Sequence, residues 1–412
     1  VTGVVAVVAL AALAGAVARR LRQPPVLGVM VACLLLGPVG LGSWAPHVTA
    51  TLWPDDSAGL RDGAARVGVA VLVVLLGLHL DTRASAAVSR ATGVLAGTGL
   101  GVALVLGAGL AGVLVATGHG TPVVPLAIVC GCALGATALP VLGEIVRSRG
   151  LAGRREADTA LATAAVQDGL VWLLLGLAAV LAPGGDGTRP AAVPALVGLV
   201  VATLALARLA PRLLAAVPPG AAGSVLMLVL LGAATVGFVR LGEVAGVHGV
   251  VGAFLLGAVV PLDALPAGTR RVLDGPVRWV ATHVLLPVFF LVAGLAAAPL
   301  SLAGAGLLLP VVVLVLGVGG KLLGVRLAVR RGAVPAADAP MLSALLNTRG
   351  LTEVLVVQTG VEAGLLDPPL ATAFLVMAVV TTLATGPWTA RIERARMRGA
   401  QPVAGPVVAT ER

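Results

Sequence analysis

Charge is scarce in this 412-residue chain: Asp, Glu, Lys and Arg make up 11% of it, against 58% hydrophobic residues. So little polar surface cannot cover so much apolar surface in water. A soluble protein is excluded, and an all-α polytopic membrane protein is predicted. Cysteine is scarce too. Cys33, Cys130 and Cys132 lie in apolar stretches at neither metal-ligand nor disulfide-framework spacing, so they are expected to be small packing residues. A cleavable signal peptide is not expected, because Val4 to Val17 runs into Arg19-Arg20-Leu-Arg22 and not into a small-residue cleavage site. No loop is long enough for a soluble domain; the longest, Ser43 to Asp62, has about 20 residues, and no attached nucleotide-binding domain is expected. Neither a Gly-x-Gly-Asp nor a Gly-x-Ser-Gly constellation occurs, which argues against an intramembrane hydrolase. No enzyme activity and no cofactor are expected. Histidines His79, His119 and His248 stand alone, in no ligand spacing.

What is abundant is apolar sequence, in thirteen segments: roughly 3–18, 25–42, 64–80, 91–117, 122–146, 157–182, 191–208, 221–239, 245–261, 279–298, 301–324, 340–361 and 369–390. The formal charge of +10 suggests nucleic acid until the basic residues are sorted by loop. With the N-terminus outside, 22 of them fall on the cytoplasmic side and only Arg61, Arg189 and Arg240 outside. Arg66, Lys321 and Arg349 fall within spans. This bias predicts an N-out, C-in orientation in the cytoplasmic membrane, with a short basic tail at 391–412. The positive charge then faces the bilayer's inner surface, and no nucleic-acid partner is expected. Trp44, Trp53, Trp279 and Trp388 lie near span ends, where interfacial anchors belong, while Trp172 lies deep in a span.

Charges inside spans are few enough to consider singly. Asp168 is the only charged residue between Asp158 and Asp186, in the middle of a run long enough to cross a hydrocarbon core of about 30 Å. A carboxylate there is costly unless it faces a wet cavity or a partner, so it marks a functional site. Lys321 is the only lysine, in Gly317-Val-Gly-Gly-Lys321-Leu-Leu-Gly324; the bland alternative for it is snorkelling to the cytoplasmic interface. Arg349 and Glu353, four apart, share a helix face and can neutralise each other. Glu144, close to Arg147, reads as part of a solvated face, and Asp81 as an interfacial residue.

Two spans are interrupted. One reads Gly135-Ala-Thr137-Ala-Leu-Pro140, where Pro140 removes a backbone donor and disfavours helix just before it. The other is the polar island Asn347-Thr348-Arg349-Gly350-Leu-Thr352-Glu353. Unwound backbone at membrane depth is tolerated only where it lines a cavity or is buried in protein, and paired breaks in two halves point to a transporter's binding site. Thr137 and Asn347 are 210 residues apart, as are the long spans starting near 91 and 301. That interval carries seven spans, an odd number, so the two units run in opposite directions: an inverted repeat.

Taken together, these residues resemble the monovalent cation:proton antiporter-2 branch of the sodium/proton antiporter superfamily, over essentially the whole length. The resemblance is carried by Arg22-Gln-Pro-Pro25-Val-Leu-Gly28, Leu36-Gly37-Pro38, Gly77-Leu-His-Leu-Asp81, Ala136-Thr137-Ala-Leu-Pro140-Val and Val166-Gln167-Asp168 leading to Trp172. It continues in Gly252-Ala-Phe254-Leu-Leu-Gly257, Leu286-Pro287-Val-Phe-Phe290 with Gly294-Leu295, Gly320-Lys321-Leu-Leu-Gly324 and Asn347-Thr-Arg-Gly350-Leu-Thr-Glu353. It implies two crossed broken helices in a core bundle (about 91–182 and 301–390) that moves against dimerisation or scaffold helices (about 1–80 and 191–298) of a homodimer. It also implies that Asp168 binds a monovalent cation and a proton alternately, that Thr137 and Gln167 line the site, and that Lys321 pairs with the acid. Asn347, Arg349 and Glu353 are expected to support the site. The Gln167-Asp168 doublet is similar to that of glutathione-gated potassium-efflux proteins, and Asn-Thr-Arg-Gly to plant-type exchangers. Sodium and potassium both stay open, with a lean to potassium. With one acid in the doublet, electroneutral exchange is expected. The alternative is a sodium-coupled symporter or an exporter of an organic solute on a similar fold, against which the sparse polar inventory argues.

Overall fold

The structure is a computed structural model that describes residues 2–21, 23–53, 58–78, 89–118, 121–182, 192–218, 220–245, 249–299 and 304–399. Asp81, His79, His119 and His248 lie outside the described residues. Helices α1 (Thr2–Arg20), α2 (Pro25–Leu36) and α3 (Ala58–Leu78) open the chain, with two short helices, Leu41–Trp44 and Pro46–Leu52, between the last two. Then follow α4 (Arg90–Ala116), α5 (Val123–Gly135), α6 (Leu139–Ser148), α7 (Arg155–Leu181), α8 (Ala192–Ala215), α9 (Ala221–Val244), α10 (Gly249–Val259) and α11 (Ala267–Leu295). The chain ends in α12 (Leu308–Arg330), α13 (Ala339–Leu346), α14 (Leu351–Glu362) and α15 (Pro368–Gly399). Counting α5–α6 and α13–α14 each as one broken span, these helices lie on all thirteen predicted segments. Nine of the spans, among the described residues, are long and apolar enough to cross a membrane by length and composition.

The second halves of the two broken spans end alike. Helix α6 closes with Gly150 at φ 65°, its N–H on Arg147 O and the Leu151 N–H on Val146 O at 2.9 Å. Helix α14 closes the same way: Gly364 at φ 66°, with the Leu365 N–H on Gly360 O at 2.8 Å. Both are left-handed caps that satisfy the last carbonyls, and glycine accepts that conformation without strain. The equivalent long helices α4 and α12 lie against each other at Gly99 and Gly324. A Cβ built on Gly324 would come within 2.7 Å of the Gly99 Cα, so glycine sets how closely these backbones approach.

The alternation of loops survives in three dimensions. Arg154 pairs with Glu393 at 3.0 Å and Arg396 with Glu156 at 2.6 Å, and Arg396 also donates to Ala337 O. Three segments assigned to the same side by their arginines are thereby brought together. At the other end Asp62, Ala182, Glu243 and Glu362 converge around one cavity, again as the alternation requires. Among the tryptophans, Trp44 and Trp279 are exposed, but Trp53 is buried in the apolar core and is not an interfacial anchor. Trp172 is buried with its ring 6.1 Å from that of Phe254 on α10. All three cysteines are buried and unpaired, as packing residues should be.

Candidate functional site

Pro140 stands in the first turn of α6, where its missing N–H costs nothing, but it cannot bond the Ala136 carbonyl four residues earlier and so stops α5 from running on into α6. Ala136 and Ala138 accordingly have ψ of 145° and 97°. In the second break, Asn347 ends α13 and Gly350 precedes α14 in extended backbone; a Cβ on Gly350 would sit 2.8 Å from Val141 of α6. The two breaks cross there. The Ala138 N–H donates to Thr348 O at 3.0 Å, and the Thr137 hydroxyl lies 3.1 Å from Leu346 O. Thr382 of α15 closes the second break, accepting from the Arg349 N–H at 2.8 Å and donating to Arg349 O.

A broken helix leaves carbonyls unpaired at its C-terminal end, where the dipole is negative. Two cations satisfy them. Arg349 donates to Ala133 O at 2.5 Å and to Leu134 O at 2.7 Å, and Lys321 donates to Gly135 O at 2.5 Å. Lys321 also donates to Thr137 Oγ1 at 2.6 Å and to Gln167 Oε1 at 3.1 Å. It is 2% exposed, so it does not snorkel to the interface. Nor does it form the ion pair with Asp168 that the resemblance implies: its three ammonium protons are spent on the break and the doublet. Arg349 does pair with Glu353, at 3.4 Å with both side chains fully buried. Gln167 bridges Lys321 and Thr137 and donates weakly to Ala96 O at 3.4 Å.

Asp168, beside Gln167, is 1% exposed. Its carboxylate is acted on by the Thr352 hydroxyl, the Lys321 ammonium and the Leu139 N–H at the positive N-terminal end of α6. The Thr352 hydroxyl and the Leu139 N–H approach it as donors, but neither reaches full hydrogen-bond geometry, and both carboxylate oxygens are buried without a closed bond. Asn347 donates to Ser343 O, while its Oδ1 and the Thr348 hydroxyl are buried and unpartnered. Four charges thus meet at the crossing, Asp168 and Glu353 against Lys321 and Arg349. Glu144 is elsewhere, ion-paired with Arg147 on the partly exposed rim. No group of three or more His, Cys, Asp or Glu able to hold a metal ion occurs among the described residues.

Sequence reading brought Asp168, Gln167, Thr137, Lys321, Asn347, Arg349 and Glu353 to one region. It missed Thr352 and Thr382, although Thr381-Thr382 is a polar pair within an apolar span and Thr352 lies in the polar island. A cavity of about 450 Å³ opens between α3, α9, α10 and α11 on one side and α7 and α14 on the other. Asp62, Arg66, Glu243, Gln358 and Glu362 are on its wall.

Two inverted units whose broken helices cross over a buried carboxylate define an ion-exchanger type of membrane transporter. Residues 7–394 match the family described as sodium/hydrogen exchanger, transmembrane, and the chain belongs to that family. It is 28% identical over 404 residues to the Na(+)/H(+) antiporter NhaS4 of Synechocystis, covering 94% of this chain and 96% of the relative. It is 30% identical over 391 residues to Cation/H(+) antiporter 20 of Arabidopsis thaliana, which covers 90% of this chain but only 45% of that protein. The chain therefore spans about half the length of its plant relatives. The Na(+)/H(+)-K(+) antiporter GerN of Bacillus cereus is 25% identical, with 91% of each chain covered. Among solved structures, the sodium proton antiporter MjNhaP1 from Methanocaldococcus jannaschii has the same fold, with a TM-score of 0.63 at 15% identity over 96% of both chains.

Proposed function

We propose that this protein is a monovalent cation/proton antiporter of the cytoplasmic membrane, oriented N-out and C-in, and that Asp168 carries the cation and the proton in turn. The observation that carries the reading is a carboxylate buried at the crossing of two broken helices with both oxygens unpartnered. A group so placed is stable only with something bound to it, a proton or a small cation. It cannot hold both, and that competition couples the two fluxes. Gln167 and Thr137 hold Lys321 on the first break and so shape the site. Arg349 and Glu353 lock the second break to the first.

With the arginine-rich side inward, the cavity between α3, α9 and α14 opens outward. On the inner side Gln23 donates to Leu383 O on α15, joining the N-terminal helices to the core. Alternating access then requires α4–α7 and α12–α15 to move against α1–α3 and α8–α11. The largely exposed apolar faces of α8 and α9 are suited to lipid and to a second copy in a homodimer. Both sodium and potassium fit a carboxylate and neutral oxygens. The doublet's likeness to potassium-efflux proteins and the name of the GerN relative support potassium alongside sodium.

The test is Asp168→Asn, which keeps the volume and removes the titratable group. In proteoliposomes with a pH dye, exchange should vanish for both cations while the purified variant stays monodisperse. Exchange above a tenth of the wild-type rate would end the carrier assignment.

A further inference from the structure

We propose that Thr352 is a ligand of the transported cation, its hydroxyl oxygen sharing the ion with the Asp168 carboxylate. The inference rests on the exchanger reading above and names a residue of the same site. It starts from what threonines do elsewhere in this bundle. A buried threonine inside a helix often returns its hydroxyl to the carbonyl four residues earlier. Thr98 does so at 2.8 Å, Thr163 at 2.7 Å, Thr381 at 2.8 Å, and Thr385 and Thr389 at 3.0 Å. Thr352 does not. It is the second residue of α14, so the residue four earlier, Thr348, lies before the helix, in the break. There the Thr348 carbonyl accepts the Ala138 N–H across the crossing. The break thus frees a hydroxyl that a continuous helix would have tied down. Thr352 is 1% exposed, and its hydroxyl is within reach of the Asp168 carboxylate.

The side-chain oxygens beside the first break are already engaged. Thr137 Oγ1 accepts from Lys321 and lies within hydrogen-bond distance of Gln167 Oε1, which itself accepts from Lys321. The oxygens without a hydrogen bond lie on Asp168, on Glu353, which has its ion pair with Arg349, and on the second break at Asn347 Oδ1 and Thr348 Oγ1. The second break is therefore the side of the crossing with oxygens to give. A hydroxyl has one proton and two lone pairs. It can donate to the carboxylate while a lone pair faces the ion. Being neutral across the working pH range, it adds an oxygen without adding a proton to the cycle.

The experiment compares wild type, Thr352→Val, Thr352→Ser and Asp168→Asn in proteoliposomes, with sodium and potassium titrated separately. Cation-dependent thermal stabilisation of each purified protein is the second readout. Thr352→Val should raise the half-saturating cation concentration about tenfold, the value of one good ligand contact of about 1.4 kcal/mol. Its maximal rate should stay within about twofold, and its cation-dependent stabilisation should shift to higher concentration in parallel. Thr352→Ser, which keeps the hydroxyl, should behave as wild type. Unchanged half-saturation in Thr352→Val overturns the proposal. So does a Thr352→Ser variant as impaired as Thr352→Val, since the methyl group would then be what matters. If Thr352→Val does not fold, Thr352→Ala against Thr352→Ser makes the same comparison. Exchange by Asp168→Asn would instead sink the site reading itself, so the two failures are distinguishable.

Discussion

The two buried cations at the crossing have different partners, and their removal should be felt differently. Lys321 serves three neutral acceptors, Gly135 O, Thr137 Oγ1 and Gln167 Oε1. Lys321→Ala takes the donor from Gly135 O and Thr137 Oγ1 and leaves Gln167 Oε1 only the Thr137 hydroxyl, which costs about 1–3 kcal/mol for an unsatisfied buried polar group. A clear drop in melting temperature is expected in a fluorescence-detected thermal scan, and wild-type stability would contradict the assigned bonds. Arg349 is paired with a fully buried carboxylate. Removing one partner of such a pair costs about 3–5 kcal/mol, because the other charge is left uncompensated. Arg349→Met should therefore fold poorly, and Arg349→Met with Glu353→Met should recover much of the lost yield, although the Ala133 and Leu134 carbonyls stay bare. No recovery in the double variant would mean that the carbonyl contacts, and not the ion pair, hold the crossing together.

At the level of elements, the breaks were legible and their joining was not. Pro140 and the polar run from Asn347 to Glu353 announce two interruptions at equivalent places. Nothing in either segment says that Arg349 reaches across to the end of α5, because that contact spans 216 residues of sequence. The glycines divide in the same way. Gly101 of α4 has open space where a Cβ would go, whereas Gly324 of α12 faces the backbone of Gly99. Overpacking at such a contact costs about 1–3 kcal/mol. Gly324→Ala should lower the yield of folded protein, while Gly101→Ala should leave it unchanged or slightly higher, by size-exclusion profile. Equal tolerance would mean that α4 and α12 are not packed at this seam.

For the whole molecule, the charge inventory of the core sets the electrical behaviour. Glu353 is neutralised by Arg349, and Lys321 is held by three acceptors that match an ammonium group. On the proposed reading Asp168 is the one group that cycles, so each monovalent cation bound displaces one proton. The loaded core carries the same charge in both directions, so exchange should ignore membrane potential, which otherwise contributes about 2.3 kcal/mol per charge per 100 mV. Solid-supported-membrane recordings should show no sustained cation-driven current in proteoliposomes that visibly exchange protons. A current, or a rate that follows a clamped voltage, would mean that a second proton carrier such as Lys321 takes part.

By itself the sequence determined that this chain lives in a bilayer, which of its loops share an end, where its helices break and which carboxylate is buried among them. These are one-dimensional properties: apolar length, arginine bias, proline and a solitary charge write themselves locally. Only the tertiary structure decided who pairs with whom. It turned Lys321 from the expected partner of Asp168 into the cap of a broken helix, gave the other carbonyls of that helix to Arg349, and buried Trp53. The reason is geometric: a helix end presents its unpaired carbonyls to whatever cation the fold brings within about 3 Å, and that distance is set by crossings between segments some two hundred residues apart.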